Sequence, residues 1–322
     1  MTLHAGEPGQ PLEVESEDVR MVALRRELVG LLDRRTGSDG GHATSIPALK
    51  LYRFSHPNEP APVLYESAVY VVVQGRKQVT LGDTSYVYDR SQYLAVSLEL
   101  PVVSHVLEAT PEEPYLCMTL TIDPRELAAL IVETHRQAPR DDHDGRALFV
   151  TPLRASLLDG FLRLVRLLDT PEDIPVLAPL VLREIDYRLL QSEQFGRLAQ
   201  MAIGDGRLRR ISGAIAWIRE HFAEPLQVEA LANRVHMSPS ALHHHFKGAT
   251  ALSPLQYQKR LRLQEARRLL LSGGPSAEAV AYEVGYASAS QFSREYARLF
   301  GQPPRRDAEL VRGAAAGADP GT

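Results

Sequence analysis

Apolar positions recur along the chain at two different spacings, and the spacing changes twice. Val19, Val22, Leu24, Leu28, Leu31 and Leu32 lie near a 3.6-residue period, which predicts a helix over residues 16–35. Residues 1–15 show no such period and contain Pro and Gly, so disorder is expected there. The stretch "TGSDGGHATS" after the helix reads as a Gly/Ser loop. Between Ile46 and Ile122 the texture turns to short β-branched and aromatic runs, among them "LYESAVYVVVQG", "KQVTL", "TSYVYD", "QYLAVS" and "PYLCMTLTI". Turn signals such as "HPNEPAP" and "LGDTS" separate them at roughly 8–12 residue intervals, the pattern of a sandwich or small barrel.

Helical spacing returns over 124–202. Asp123 is a natural cap with Pro124 at the first helical position. Beyond the polar connector "APRDDHDGRAL", one stripe holds Leu153, Leu157, Phe161, Leu164, Val165 and Leu168. A second holds Leu177, Leu180, Val181, Ile185 and Leu189. Such stripes supply a core or the seam of a dimer. The two glycines of "MAIGDGRL" mark a domain boundary, leaving residues 1–203 on one side and 207–312 on the other. Residues 313–322, "GAAAGADPGT", read as a disordered tail.

The second part contains two related units. "VEALANRVHMSPSALHHHFKGAT" and "AEAVAYEVGYASASQFSREYARLFG" each begin with a short helix carrying a small-apolar pair. Each continues through a tight turn into a second helix with an i, i+4 apolar pair, Leu242/Phe246 and Phe292/Tyr296. Ser238 and Ser288 are placed to cap those second helices, with Pro239 at the first position of one. Gly285 supplies the positive φ that such a turn favours; His236 stands at the matching place in the first unit. Two helices joined by a tight turn form a helix-turn-helix, whose second helix enters the DNA major groove. Between the units, residues 254–271 read as one helix, a rod of roughly 27 Å at 1.5 Å per residue. That length suits two recognition helices one DNA turn apart.

Composition adds three constraints. A chain of 322 residues with 44% hydrophobic and 24% charged residues is ordinary globular protein of about two domains. No run of 18 apolar residues and no secretory leader pattern occur, so no membrane span is expected and a cytoplasmic location is. The single cysteine, Cys117, forms no intrachain disulfide; it is expected as a packing residue, with an oxidant or electrophile sensor as the weaker alternative. The net charge of -4 conceals an asymmetry. Residues 207–312 carry 16 Lys and Arg against 9 Asp and Glu, a net of +7, and the remainder nets -11. A basic third joined to an acidic remainder suggests a polyanion-binding module attached to something else.

These blocks resemble a known family. "LANRVHMSPSALHHHFKGATALSPLQYQKRLRLQEARRLL" and, more diagnostic, "AYEVGYASASQFSREYARLFGQPP" are similar to the DNA-binding domain of the AraC/XylS transcription regulators. "LYESAVYVVVQGRK", "YLAVSLELPVVSHV" and "PYLCMTLTIDPREL" resemble that family's cupin-like N-terminal domain. Two departures stand out: His236 replaces the usual turn glycine, and "RRDA" after Pro304 lacks the common Tyr-Arg ending. The expected fold is α+β: an N-terminal cupin-like β-barrel with flanking helices, then an all-α C-terminal domain with two helix-turn-helix units joined by a long helix.

Helical geometry sorts the faces. With Leu242 and Phe246 inward, steps of about 100° put Ser240, His243 and His244 outward and His245 at the core edge. The resemblance implies that these outward positions reach base edges. The matching set on the second unit is Ala289, Ser290, Ser293 and Arg294, of which Arg294 is the best single reader because guanidinium pairs bidentately with guanine. Lys247, Lys259 and Arg262 are candidate phosphate contacts, with solvated helix surface as the alternative. Consecutive helical histidines point in different directions, whereas helical chelating pairs need i, i+4 spacing, so "HHH" is not expected to hold a metal.

A catalytic cupin needs a His-x-His pair with further ligands. Only His56 and His105 occur between Leu49 and Ile122, neither with a partner two residues on. No Ser-His-Asp set, P-loop or dinucleotide motif is present, so neither an enzyme activity nor a cofactor is expected. An effector pocket is the expected alternative, with Glu66, Tyr70, Lys77, His105 and Cys117 as its polar candidates; alternation alone leaves open which strand face is interior. Expected partners are promoter or operator double-stranded DNA, a small-molecule effector, RNA polymerase in a role of activator, and a second copy through the N-terminal domain.

Overall fold

The computed structural model describes residues 11–136, 146–203, 206–273 and 275–317. It is α+β, sheet-rich in its N-terminal part and helical in its C-terminal part. Helix α1 spans Pro11–Arg35, starting ahead of the expected residue 16. Leu24, Leu28, Leu31 and Leu32 are buried, but Val19 and Val22 are not, so the apolar stripe serves the core only over its second half.

Ten strands follow: β1 (Gly40–Ala43), β2 (Leu49–Phe54), β3 (Ala61–Tyr65), β4 (Ala68–Gln74), β5 (Arg76–Leu81), β6 (Thr84–Asp89), β7 (Gln92–Val96), β8 (Leu100–Glu108), β9 (Tyr115–Thr121) and β10 (Leu148–Pro152). Two of them correct the sequence reading. β1 lies in the expected Gly/Ser loop, recruited by antiparallel pairing with β2. β10 lies inside the segment expected to be helical and pairs with β7. Both are short edge strands whose conformation comes from a distant partner, which local periodicity does not record.

Among the described residues the ladders build two sheets, β1-β2-β9-β4-β7-β10 and β3-β8-β5-β6, with no closed ring of strands. Period-two alternation gives each face a destination. Val69, Val71 and Val73 of β4 and Leu116, Met118 and Leu120 of β9 join a core shared with α1 and the helices described next. Tyr70, Val72, Tyr115 and Cys117, from the opposite faces of the same strands, share an inter-sheet core with Val79, Leu81, Tyr88, Val102 and Val106.

The helices of this part are α2 (Pro124–Glu133), α3 (Ala155–Arg166), α4 (Ile174–Leu190) and α5 (Phe195–Ile203). Asp123 caps α2 through the N–H of Arg125 at 2.8 Å. The stripe around α3 is buried throughout. On α4, Val181, Ile185 and Leu189 are buried, while Leu177 and Leu180 face outward beside Val176 and Tyr187. Most of the expected polar connector and the Gly204–Asp205 boundary lie outside the described residues.

The C-terminal part holds α6 (Arg207–Glu220), α7 (Val228–Arg234), α8 (Pro239–Thr250), α9 (Pro254–Leu271), α10 (Ala277–Glu283), α11 (Ala289–Phe300) and α12 (Pro304–Gly317). Residues 313–317, expected in a disordered tail, continue α12; residues 318–322 lie outside the described residues. The two parts touch. Glu99, just before β8, accepts from Arg219 of α6 at 2.9 Å, and its backbone carbonyl accepts from the Tyr257 hydroxyl of α9 at 2.9 Å. The Ala147 N–H donates to Ala249 O at 3.2 Å.

Candidate nucleic-acid interface and effector site

The two helix-turn-helix units share one hydrogen-bond plan. In the first, His236 N–H donates to Asn233 O at 3.1 Å and Met237 N–H to Ala232 O at 2.9 Å. In the second, Gly285 N–H donates to Tyr282 O at 3.0 Å and Tyr286 N–H to Ala281 O at 2.9 Å. Both turns use a left-handed residue, His236 at φ 54° and Gly285 at φ 87°. Histidine adopts the conformation for which glycine is the easier choice. Ser238 and Ser288 accept from the N–H groups of Ala241 and Gln291, and each shares a hydroxyl contact with the serine two residues on, Ser240 at 3.2 Å and Ser290 at 3.0 Å.

Leu242, Phe246, Phe292 and Tyr296 are fully buried, which fixes the rotation of both second helices. Ser240, His243, His244 and Lys247 are exposed on α8, and Ser290 and Arg294 on α11; Ser293 and Ala289 are half-buried. His245 lies between the two environments, its ring edge-on to His244 at 5.1 Å. No ion pair engages Arg294 or Lys247 among the described residues.

The other two candidate phosphate contacts are occupied. Lys259 pairs with Glu295 at 3.0 Å, and that carboxylate also accepts from Tyr286 and Gln291. Arg262 gives its guanidinium to backbone carbonyls: Nε to Phe222 at 2.6 Å, Nη1 to Gly285 at 2.7 Å, and Nη2 to Ala223 and Glu224 at 3.1 and 2.8 Å. Its structural role replaces the expected phosphate contact: it ties the loop after α6 to the turn of the second unit. The spacing of basic residues carried no sign of those carbonyls. Arg260 and Arg298, which that reading missed, lie near enough for Arg298 to add to the burial that lowers the Arg260 pKa.

The five effector-pocket candidates separate. His105 alternates with inward Ser104 and Val106, opposite Gln78, and so faces away from the inter-sheet space. Glu66 sits at the exposed rim, paired with Lys50 at 2.8 Å. Tyr70, Lys77 and Cys117 point between the sheets. There Lys77 stands opposite Tyr88 in the β5–β6 register, and its ammonium lies 5.8, 5.6 and 5.4 Å from the ring centres of Phe54, Tyr65 and Tyr115. The aromatic lining was missed, although "TSYVYD" places Tyr86 and Tyr88 on one strand face.

Protonation in this space follows from burial. Desolvation pushes the phenols of Tyr70, Tyr88 and Tyr115 up and does the same to the Cys117 thiol. Cys117 is therefore a protonated thiol, donating weakly to Met118 O at 3.4 Å, and lacks the thiolate character of a redox sensor. Desolvation pulls the Lys77 ammonium down, but Tyr65 and Cys117 more than offset it and leave it above the ordinary lysine value. An open groove of 660 Å³ between α1 and the β4–β5 turn is of another kind: Arg25, Arg26 and Arg90 face Asp89, Glu108 and Glu113 in balanced numbers.

Comparison with known proteins places these features. Residues 45–197 match the model of the AraC-type transcriptional regulator N-terminus, and residues 231–309 match a helix-turn-helix domain. The HTH-type transcriptional activator RhaS of Escherichia fergusonii is 41% identical over 106 residues, 31% of this chain and 38% of RhaS. RhaS of Escherichia coli K12 is 35% identical over 96 residues, 30% of this chain and 34% of that protein. The matches thus span little more than a third of these relatives. ToxT of Vibrio cholerae O395, bound to (E)-4-(8-methylnaphthalen-1-yl)but-3-enoic acid, shares the fold with a TM-score of 0.57 at 12% identity, over 82% of this chain and 98% of ToxT. ToxT bound to an unsaturated fatty acid gives 0.54 at 12% identity, over 81% and 94%. With one model on the sheet-rich part and the other on the paired helix-turn-helix units, the chain belongs to the AraC family of transcriptional regulators.

Proposed function

We propose that residues 207–312 read two adjacent major grooves of promoter DNA, and that residues 1–203 form a cupin-like sensing and dimerisation domain that sets this activity. The observation that carries the reading is the paired turn geometry, which leaves Ser240, His243 and His244 on α8 and Ser290 and Arg294 on α11 exposed above two buried pairs. Ala289 and Ser293 contribute from the half-buried edge of α11. Lys247 is the phosphate contact, since Lys259 and Arg262 are engaged within the protein. The similarity to RhaS, an activator by name, supports an activating role with RNA polymerase as partner. The acids bound in the ToxT structures support a small-molecule effector. The outward Val176, Leu177, Leu180 and Tyr187 of α4 support a second copy as the partner of that face. Glu99, fastened to both α6 and α9, offers a route from the sheets to the helices.

The test is duplex binding against salt, using fragments recovered by sequencing genomic DNA bound to the protein. Affinity should fall steeply with salt as phosphate neutralisation releases counterions. His243→Ala/His244→Ala should weaken specific binding. Retention of specific binding by that double variant excludes the α8 assignment.

A further inference from the structure

We propose that a cavity on the helix-covered side of the six-stranded sheet binds a tetrahedral oxyanion, either inorganic phosphate or the phosphoryl group of a small molecule. The cavity lies where β7 and β10 meet the start of α3 and the end of α4. Arg154 and Arg188 supply the charge, and Tyr93, Thr151 and Ser156 supply hydroxyl donors. This goes beyond the reading of DNA and does not depend on it.

The first observation is a cavity with an excess of positive charge. It measures about 120 Å³, against the roughly 30 Å³ that one water occupies in the liquid. Antiparallel pairing sets Tyr93 directly across from Thr151, so both side chains leave the sheet on the same face. Arg154 makes no ion pair among the described residues. Arg188 reaches Glu184 through one nitrogen at 3.4 Å, and that carboxylate is held more closely by Arg163 at 2.6 Å. Glu193, the acid of the lining, is exposed, and the two guanidiniums outnumber it.

The second observation is a buried donor. Tyr93 is 1% exposed, lines the cavity, and its hydroxyl forms no hydrogen bond. Ser192 lies close enough to influence it, but the Ser192 hydroxyl oxygen accepts from the Gln194 N–H at 3.3 Å. Burial pushes the phenol up to about 12, against the pull of Ser192 and of the Arg154 charge. At neutral pH it is therefore a donor without an acceptor, whereas buried phenol oxygens normally find a partner. The third observation is the start of α3, which has no side-chain cap and no acid in its first turn. Its first N–H groups keep their partial positive charge, and Arg154, Ser156 and Leu157 of that turn line the cavity.

Charge and donor count select the ligand class. A phosphoryl group carries about two negative charges near neutral pH, which matches two guanidiniums. Its oxygens project in several directions and accept paired N–H donors from arginine forks as well as hydroxyls and a helix start. A carboxylate offers two oxygens in one plane and leaves part of this donor set unmet. A neutral polyol leaves both guanidiniums uncompensated. At about 120 Å³ the cavity encloses the oxyanion group itself, and a carrier attached to it extends past the exposed Arg154 and Arg188 into solvent.

The experiment uses the full chain with inorganic phosphate and glycerol 3-phosphate as probes, read by calorimetry and thermal unfolding. Acetate and chloride at equal ionic strength are the controls. At least one of the two phosphates should bind and raise Tm, and the controls should not. Glycerol 3-phosphate binding at least as tightly as inorganic phosphate assigns the site to a phosphorylated molecule; the reverse order assigns it to the free ion. Arg154→Gln should weaken binding at least about tenfold, and Tyr93→Phe by roughly three- to tenfold. Without anion, Arg154→Gln should melt with the parent, because its side chain is exposed and unpaired among the described residues. If Tyr93→Phe does not fold, Arg188→Gln takes its place. No binding of either phosphate, an equal effect of acetate, or undiminished binding in Arg154→Gln overturns the proposal. Loss of binding in Arg294→Ala with undiminished binding in Arg154→Gln places the anion at the DNA-reading helices and overturns it as well. Duplex binding is no part of the readout, so failure of the DNA reading leaves this result standing.

Discussion

The two helix-turn-helix units follow one plan and differ in what surrounds their turns. In the first unit the left-handed residue is His236, which is exposed. In the second it is Gly285, and a Cβ added there would lie inside the contact distance of the Ala223 carbonyl oxygen. The helix ends repeat the contrast: α8 closes on Ala251 at φ 59° and α11 on Gly301 at φ 77°. Glycine is thus required at 285 by packing as well as by φ, whereas at 236 only φ favours it. The neighbours differ too. The second unit is tied to the loop after α6 through Arg262 and Gly285, while the first meets the sheet-rich part where Ala249 O accepts from the Ala147 N–H.

The largest effect that would sharpen this contrast is Gly285→Ala. Overpacking against Ala223 added to left-handed strain should cost about 3 kcal/mol or more, read by urea unfolding. His236→Ala, by comparison, should change stability little; equal losses at both sites break the asymmetry. Arg262→Ala comes next, leaving four carbonyls with one partner fewer, at a cost of roughly 2–3 kcal/mol in the same measurement. Unchanged stability with a lower salt slope of DNA binding would return Arg262 to the phosphate contacts. Arg294→Ala should leave unfolding untouched and cost about 1–3 kcal/mol in specific DNA affinity, relaxing one base position. The smallest effect is a gain: His236→Gly should stabilise by up to about 1 kcal/mol, by relieving the left-handed cost.

Much of the helical part was legible because its signals are local. Ser238, Ser288, Pro239 and the i, i+4 apolar pairs act within one or two turns, so spacing alone located both second helices and their outward residues. The protein partners of Lys259 and Arg262 were illegible for the opposite reason. Their partners, Glu295 and the carbonyls of residues 222–224 and 285, are distant in sequence, and a basic residue looks the same whether it faces phosphate or a buried carbonyl. The interior of the sheets was illegible likewise. Alternation divides Lys77 from Gln78 and Ser104 from His105, but it does not say which face is enclosed.

The sequence by itself determined the two-part organisation, the paired helix-turn-helix units, the caps and the family, since each is written in short-range pattern or in residue identity. Only the tertiary structure decided that Gly40–Ala43 and Leu148–Pro152 are strands, that the strands form two sheets, and that Arg262 is a tie. It also decided that Lys77 sits against the rings of Phe54, Tyr65 and Tyr115. Edge pairing, enclosure and ion partnering depend on which distant segments arrive together, and hydrophobic period carries no record of that.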